Sequence, residues 1–495
     1  MPDNNRTKSY LALDLGAESG RAILARLHSG VLTTKEIRRF KNEPVEYGGS
    51  LHWDVTRLWW EVRKALHDLE ETELAGIGVD AWGVDYALLG EHGELLQNPY
   101  HYRDARTNGV MQEVFGKFAK EEIYAATGIQ FMPINTLYQL YSAMRHTPAL
   151  LKAAERLVMI PDLFHYWLTG NAVCEFTNAT TTQLVNPATR TWATELISRL
   201  ELPRHLLTEI VEPGTQVGTL LPSISRDSSL SPTPVIAPAT HDTGSAVAAI
   251  SAREGTAFLS SGTWSLLGTE LDAPVISPEA FRFNFTNEGG VNGTTRLLKN
   301  VMGLWMLQCC RQSWTAQGQS CDHLELMELA AREDSFLSLV DPDHASFLRP
   351  ADMPAAIDQF CTRTHQPSPR NPGGYVRAIL ESLAFKYRLV LHNLEQLIGR
   401  RIGQIRVIGG GSQNRLLNQM TADATGGKVL AGPAEATALG NVAIQILATG
   451  AAASLTEVRN IVDRSYPVEV FEPLDTGKWD RHAERFEQYC EAVYA

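Results

Sequence analysis

Two carboxylates in this 495-residue chain stand where a carboxylate needs a chemical reason. Asp14 interrupts an apolar strand pattern and points opposite to Leu11, Leu13 and Leu15. Left alone in an apolar setting, it would cost on the order of several kcal/mol unless a cation met it. A hydrated Mg²⁺ carried on a nucleotide's phosphates would serve, because hard cations take oxygen ligands and Mg²⁺ keeps several of its waters. A salt bridge to Arg21, across the turn that follows, would serve equally. Asp242 lies beside His241 at the polar end of a short apolar run, residues 235–237. There a carboxylate can take the proton of an attacking hydroxyl, the base chemistry of phosphoryl transfer. It can also cap a helix running from Thr243, and the two roles are compatible.

The turn after Asp14 suggests what the chemistry acts on. Residues 11–24 (LALDLGAESGRAIL) read as an apolar strand, a small polar turn and a returning apolar strand, and residues 257–268 (AFLSSGTWSLLG) repeat the layout. A turn with little side-chain bulk lets backbone N–H groups approach a phosphate. Two such cradles imply two lobes closing on one nucleotide. A third glycine turn, Gly409, Gly410 and Gly411, follows a strand at residues 405–408. Ser412 or Asn414 then caps a helix with Leu416, Leu417, Met420 and Ala424 inward, and Gly426 and Gly427 stop it. That turn is not the dinucleotide fingerprint, whose third glycine would fall at Asn414, and the chain has no Gly-x-x-x-x-Gly-Lys-Ser/Thr loop.

Other elements must position these groups. Residues 31–40 add a third strand to the first hairpin, and Asp54 caps a helix whose Leu58, Trp59, Val62 and Leu66 recur at helical spacing. A buried strand at 77–79 ends in Asp80, Ala81, Trp82, Gly83, Val84 and Asp85, where open α/β sheets place ligand-binding residues. Residues 159–182 read as strand then helix, running into the Thr-rich stretch 177–182. The Pro- and Ser-rich passage 212–238 closes a first domain, residues 1–238, leaving 239–495 as the second. Residues 312–374 carry no readable chemistry and suggest a lid or surface elaboration, and 478–495 suggest a packed amphipathic helix.

Composition narrows the classes. A chain of this length with 44% apolar residues can bury more than one core. It has no run of about 18 apolar residues to span a membrane, and its polar first residues lack a signal's apolar segment, so the cytoplasm is expected. The six cysteines show no Cys-x-x-Cys spacing and read as reduced. A net charge of −12 argues against a nucleic-acid partner.

The segments LALDLGAESGR, VDAWGVDYALL, TNATTTQLVN, APATHDTGSAV, LSSGTWSLLG, TNEGG, LKNVMGLWMLQ and VIGGGSQNRLLNQMTADATGGKV resemble, in order, the FGGY family of carbohydrate kinases. The resemblance runs from Leu11 to about Ala448. It implies an α/β fold of two ribonuclease H-like (actin-like ATPase) domains with a catalytic cleft between them. It further implies ATP-dependent phosphorylation of a ketose, L-rhamnulose at its 1-hydroxyl, in L-rhamnose breakdown. L-fuculose, L-ribulose and D-xylulose are the alternatives, and an actin-like chaperone ATPase is the alternative from another class. Position by position, the resemblance makes Asp242 the base. It puts the nucleotide on Ala17, Glu18, Ser19, Gly20 and Arg21, with Thr263, Asn300, Gln308 and Gly410, and the sugar on Gly83 and His241. Trp82 suggests a platform for an apolar sugar methyl or plain core packing, and Asp80, Arg103 and Asp104 are candidates of the same kind.

Overall fold

The computed structural model describes residues 7–252, 255–319 and 322–491, so Cys321 and the end of the expected C-terminal helix lie outside the described residues. Two units divide the chain. The first comprises residues up to Ser251 with Glu270–Leu297 and Ala436–Tyr466; the second comprises Ala252–Thr269, Leu298–Glu435 and residues from Pro467 onward. The first unit thus holds His241 and Asp242, beyond the boundary drawn at 238 from sequence. The reason is a close helix contact: Asp242–Ala248 packs on Ala436–Ala448. A Cβ at Gly440 would overlap the Ser245 carbonyl, so only glycine permits that approach.

The first unit is built on β1 (Lys8–Leu15), β2 (Ser19–His28), β3 (Val31–Lys41), β4 (Gly76–Ala81), β5 (Gln216–Thr219) and β6 (Pro234–Ile236), in the order β5-β6-β4-β1-β2-β3. β1 runs antiparallel to β2 and parallel to β4, and β4 runs parallel to β6. The alternation in β1 does not separate core from solvent, because every residue from Tyr10 to Leu15 is buried. Helix Ala436–Ala448 lies against this strand, and Gln445 Nε2 donates to the Leu11 carbonyl at 3.0 Å.

Among the described residues the second sheet has seven strands: β7 (Thr256–Ser261), β8 (Trp264–Leu271), β9 (Thr295–Met302), β10 (Gln404–Ile408), β11 (Lys428–Ala431) and β12 (Glu469–Phe471), in the order β9-β8-β7-β10-β11-β12, with the short strand Thr286–Gly289 next to β9 at the edge. β7 is antiparallel to β8 and parallel to β10, which is parallel to β11. Both sheets therefore repeat one ribonuclease H-like plan: a hairpin strand with antiparallel strands on one side and two parallel ones on the other, closed by an antiparallel edge strand. Each parallel step needs a crossover, which places helices against the sheets.

Residues 312–374 are not a surface elaboration. Helices His323–Arg332 and Met353–Arg363 bury Leu326, Ile357 and Phe360 in the second unit, and buried Asp341 accepts from Lys386 Nζ at 2.8 Å. Helix Thr476–Glu491 buries Trp479 and Phe486 against Phe385, as its amphipathic pattern requires. Among the described residues there is no disulfide. Among the described residues, no helix is long and apolar enough to cross a membrane.

Candidate active site

Three neighbouring strand ends in the first unit bring Asp14, Asp80 and Asp242 into one electrostatic neighbourhood. Asp14 and Asp80 are register partners on β1 and β4. The chain after β6 reaches β4 through a bridge of Ala81 with His241, with Ala81 N–H donating to the Thr240 carbonyl at 2.9 Å. Arg21 lies directly opposite Asp14 across the hairpin, and its guanidinium stands 2.8 Å from Asp14 Oδ2. The Arg21 ion pair, one of the two readings of Asp14, is therefore present. The connecting turn is tight: Gly16 N–H donates to the Ser19 carbonyl at 3.1 Å, and a Cβ at Gly20 would overlap the Phe40 ring. Ala17, Glu18 and Ser19 form its tip, and Glu18 is exposed.

Asp80 is fully buried. Its Oδ2 accepts from Asn441 Nδ2 at 2.6 Å, and its Oδ1 has no hydrogen-bond partner among the described residues. Burial, then the charge of Asp14, pushes its carboxyl well above the usual range and favours the protonated acid. Asp242 differs in exposure: its side chain is 31% exposed. It opens helix Asp242–Ala248, and among the described residues its contacts fall on Oδ1, from Thr243 N–H at 2.5 Å, Thr243 Oγ1 at 3.2 Å and His241 Nε2 at 3.5 Å. Oδ2 is left as the oxygen able to accept a proton.

The surrounding framework was not read from sequence. Glu175 is buried and gathers Thr177 N–H at 2.9 Å, Thr177 Oγ1 at 2.5 Å, Thr240 N–H at 2.9 Å and Thr240 Oγ1 at 2.7 Å. It thereby fixes the backbone immediately before His241, whose own N–H donates to Thr177 Oγ1 at 3.2 Å. Burial raises this carboxyl to about 7 despite the donors, which lower it. Asp85 does similar work on the other flank, accepting from Trp53 Nε1 at 2.6 Å, Gln139 Nε2 at 2.8 Å, Trp82 Nε1 at 3.0 Å and Tyr102 N–H at 3.1 Å. Trp82 is only 4% exposed, with its ring centroid 4.1 Å from that of Trp53, so its contacts are those of core packing. Gly83 is pressed onto Thr181, whose Cγ2 lies 2.9 Å from where a Cβ would stand. Val84, next along, has φ of 67°, a strained value for a β-branched residue, and its N–H is held by Thr181 Oγ1 at 2.9 Å. Asp104 braces its own loop through Leu51 N–H and Arg106 N–H, and the Arg103 guanidinium lies over the Tyr102 ring.

In the second unit the second hairpin turn gathers the candidate nucleotide residues. Gly303 and Trp305 N–H groups donate to the Thr263 carbonyl at 3.1 and 3.2 Å, which fixes the turn to the start of helix Trp305–Ala316, where Gln308 sits. Asn300 lies on β9, just before that helix. On the other side comes the glycine turn. Gly409 has φ of 80°, and a Cβ at Gly411 would overlap Ser261 Oγ, so both positions demand glycine. Gly410 is different: no heavy atom lies within 4 Å of where its Cβ would stand. Asn414 then caps helix Arg415–Thr425 by accepting from Leu417 N–H at 3.0 Å, and Gly426 closes it with φ of 68°.

Residues 9–249 match the model of the N-terminal domain of the FGGY family of carbohydrate kinases, and 257–449 that of its C-terminal domain. A rhamnulokinase of Bacteroides thetaiotaomicron is 45% identical over 476 residues, covering 96% of this chain and 97% of that protein. A rhamnulokinase of Pectobacterium atrosepticum is 44% identical over 486 residues, covering 97% and 96%. Among solved structures, a ligand-bound xylulose kinase from Lactobacillus acidophilus superposes with a TM-score of 0.82 at 17% identity, covering 99% of both chains, and so attests the fold. With matched models over both halves and relatives this similar along nearly the whole length, the chain belongs to the FGGY family of carbohydrate kinases.

Proposed function

We propose that the chain transfers the γ-phosphoryl group of ATP to the 1-hydroxyl of L-rhamnulose, giving L-rhamnulose 1-phosphate and ADP in L-rhamnose breakdown. Asp242 Oδ2 takes the hydroxyl proton while O1 bonds to the γ-phosphorus. The bond from that phosphorus to the β–γ bridging oxygen breaks, and ADP leaves with the electron pair. The observation that carries this reading is the state of Asp242: a partly exposed carboxylate at a strand end, with its contacts among the described residues on one oxygen. Gly83 and His241 meet the sugar, while Asp80, fully buried against Asn441, lies behind them rather than in contact with it. Trp82, anchored on Asp85, supports Gly83 beside it rather than offering an open ring face.

ATP is met by Ala17, Glu18, Ser19, Gly20 and Arg21, and by Thr263, Asn300, Gln308 and Gly410. Mg²⁺ suits the first hairpin, since Asp14 and Asp80 are register partners and a cation beside them would relieve the charge repulsion that helps to favour protonated Asp80. Asp14 would hold it through water, and the ion would supply charge to the phosphates. A ketose and ATP as substrates place the work in the cytoplasm.

ADP release measured across L-rhamnulose, L-fuculose, L-ribulose, D-xylulose and glycerol tests the assignment. The highest kcat/KM is expected with L-rhamnulose, and the product's phosphorus should couple to the C1 protons. A higher kcat/KM with another ketose would replace the substrate while leaving the reaction class in place.

A further inference from the structure

The TNEGG segment, residues 286–290, has so far been given no task. Glu288 lies within it, on the strand Thr286–Gly289, and is buried beside Arg296, itself only 1% exposed. The Arg296 guanidinium is held by Nε, which donates to the Gly289 carbonyl at 2.8 Å. Its NH2 nitrogen lies 3.2 Å from Glu288 Oε2 and 3.2 Å from His241 Nδ1. Glu288 Oε2 is in turn 3.2 Å from the same Nδ1. The opposite ring nitrogen, Nε2, is the one facing Asp242 Oδ1.

We propose that Glu288 is a positioning residue for phosphoryl transfer: through Arg296 it holds the His241 ring so that Nε2 faces the Asp242 carboxylate. The proposal rests on the reading of Asp242 as the base. Nδ1 faces both the Arg296 NH2 group, which only donates, and Glu288 Oε2, which accepts, so the two together fix the orientation of the ring. With the ring held this way, Nε2 faces Asp242 Oδ1 and Oδ2 is left for the substrate's hydroxyl proton. No proton passes to Glu288. Its charge keeps the buried guanidinium in place, since a buried cation without a partner is strongly disfavoured.

Of the carboxylates whose charge reaches Arg296, namely Glu288, Glu175, Asp242 and Glu270, only Glu288 also contacts Nδ1 among the described residues. The backbone beneath it is rigid. Gly289 N–H donates to Thr180 Oγ1 at 2.9 Å, and a Cβ at Gly289 would stand 2.6 Å from the Phe176 ring.

The test uses the full-length protein with Glu288→Gln, Glu288→Asp, His241→Asn, the double variant E288Q/H241N, and Asp242→Asn. Glu288→Gln should lower kcat by about 10- to 100-fold with the KM for ATP unchanged, and Glu288→Asp should recover part of the loss. In the His241→Asn background, Glu288→Gln should add less than about twofold, because its effect travels through that ring. Should Glu288→Gln lose its fold, judged by circular dichroism and urea midpoint, Arg296→Lys supplies the same cycle and the same expectation. Glu288→Gln within about twofold of wild type, or effects that multiply with His241→Asn, would overturn the proposal. Full activity in Asp242→Asn would instead sink the base assignment itself. A slow Asp242→Asn beside an unaffected Glu288→Gln sinks only the role of Glu288.

Discussion

Adjacent glycines at 410 and 411 make opposite predictions for alanine, and together they separate a folding requirement from a ligand requirement. In Gly411→Ala the new methyl would overlap Ser261 Oγ and stand 2.5 Å from Ser261 Cβ and 2.9 Å from the Ser261 carbonyl oxygen. Rotating the serine relieves only the first contact, so the end of β7 must move. Overpacking of this kind costs about 1–3 kcal/mol. That lowers Tm by about 2–4 °C per kcal/mol in a unit of this size. In Gly410→Ala the methyl meets no heavy atom within 4 Å, and the backbone there is not left-handed. Its unfolded chain loses freedom, so stability should hold or rise by about 0.4–1 kcal/mol.

If adenine nucleotide packs on this turn, the same methyl intrudes on the ligand at about 1–3 kcal/mol. The Kd for ADP then weakens by about 5- to 150-fold. Calorimetric ADP titration beside thermal unfolding reads both quantities on each variant. An unchanged ADP Kd in a stably folded Gly410→Ala protein would refute the nucleotide role of this turn.

Other consequences follow from buried charge. Lys386→Met strips the partner from Asp341, which is fully buried, and weakens the hold on Asp343, whose carboxylate lies 3.0 Å from the same amine. Loss of one member of such a pair should cost about 3–5 kcal/mol in urea unfolding, and a loss below about 1 kcal/mol would contradict the pairing. Glu175 gives a pH signature. Its carboxyl is raised from 4.5 to about 7, so the folded state holds a proton the unfolded chain has released, and stability falls as pH rises through that window. Glu175→Gln removes the effect, so the variant should gain on wild type by up to about 3 kcal/mol between pH 4.5 and 7.5. Parallel urea midpoints across that range would rule out the raised carboxyl.

Local chemistry was legible in the sequence; long-range contacts were not. The helix after the glycine turn announced itself through Asn414, its inward Leu417 and Met420, and Gly426, all within one short stretch. The first hairpin was legible for the same reason, although β1 is buried on both faces and its alternation reflects no solvent side. Helix Ala436–Ala448 returns to the first unit through a glycine contact with residues almost two hundred positions earlier, which no periodicity encodes. Glu175, Glu288 and Arg296 escaped for a related reason. Glu175, between Cys174 and Phe176, gives the same signal that drew attention to Asp14, but Thr240 lies in a distant segment; Glu288 and Arg296 sit in polar stretches rich in Thr, Asn and Gly that give no such signal, and His241 is far from both in sequence. Residues 312–374 read as a lid or surface elaboration because nothing within the stretch shows that Asp341 meets its lysine at position 386.

Phosphoryl transfer by this chain depends on the oxygen that takes the hydroxyl proton. Single-turnover phosphorylation of L-rhamnulose by Asp242→Asn, with sugar binding measured on the same sample, addresses it most directly. Asparagine preserves shape but not basicity, so sugar affinity should stay nearly intact while the transfer rate falls by about 10²–10⁴-fold. Transfer at the wild-type rate would contradict the account.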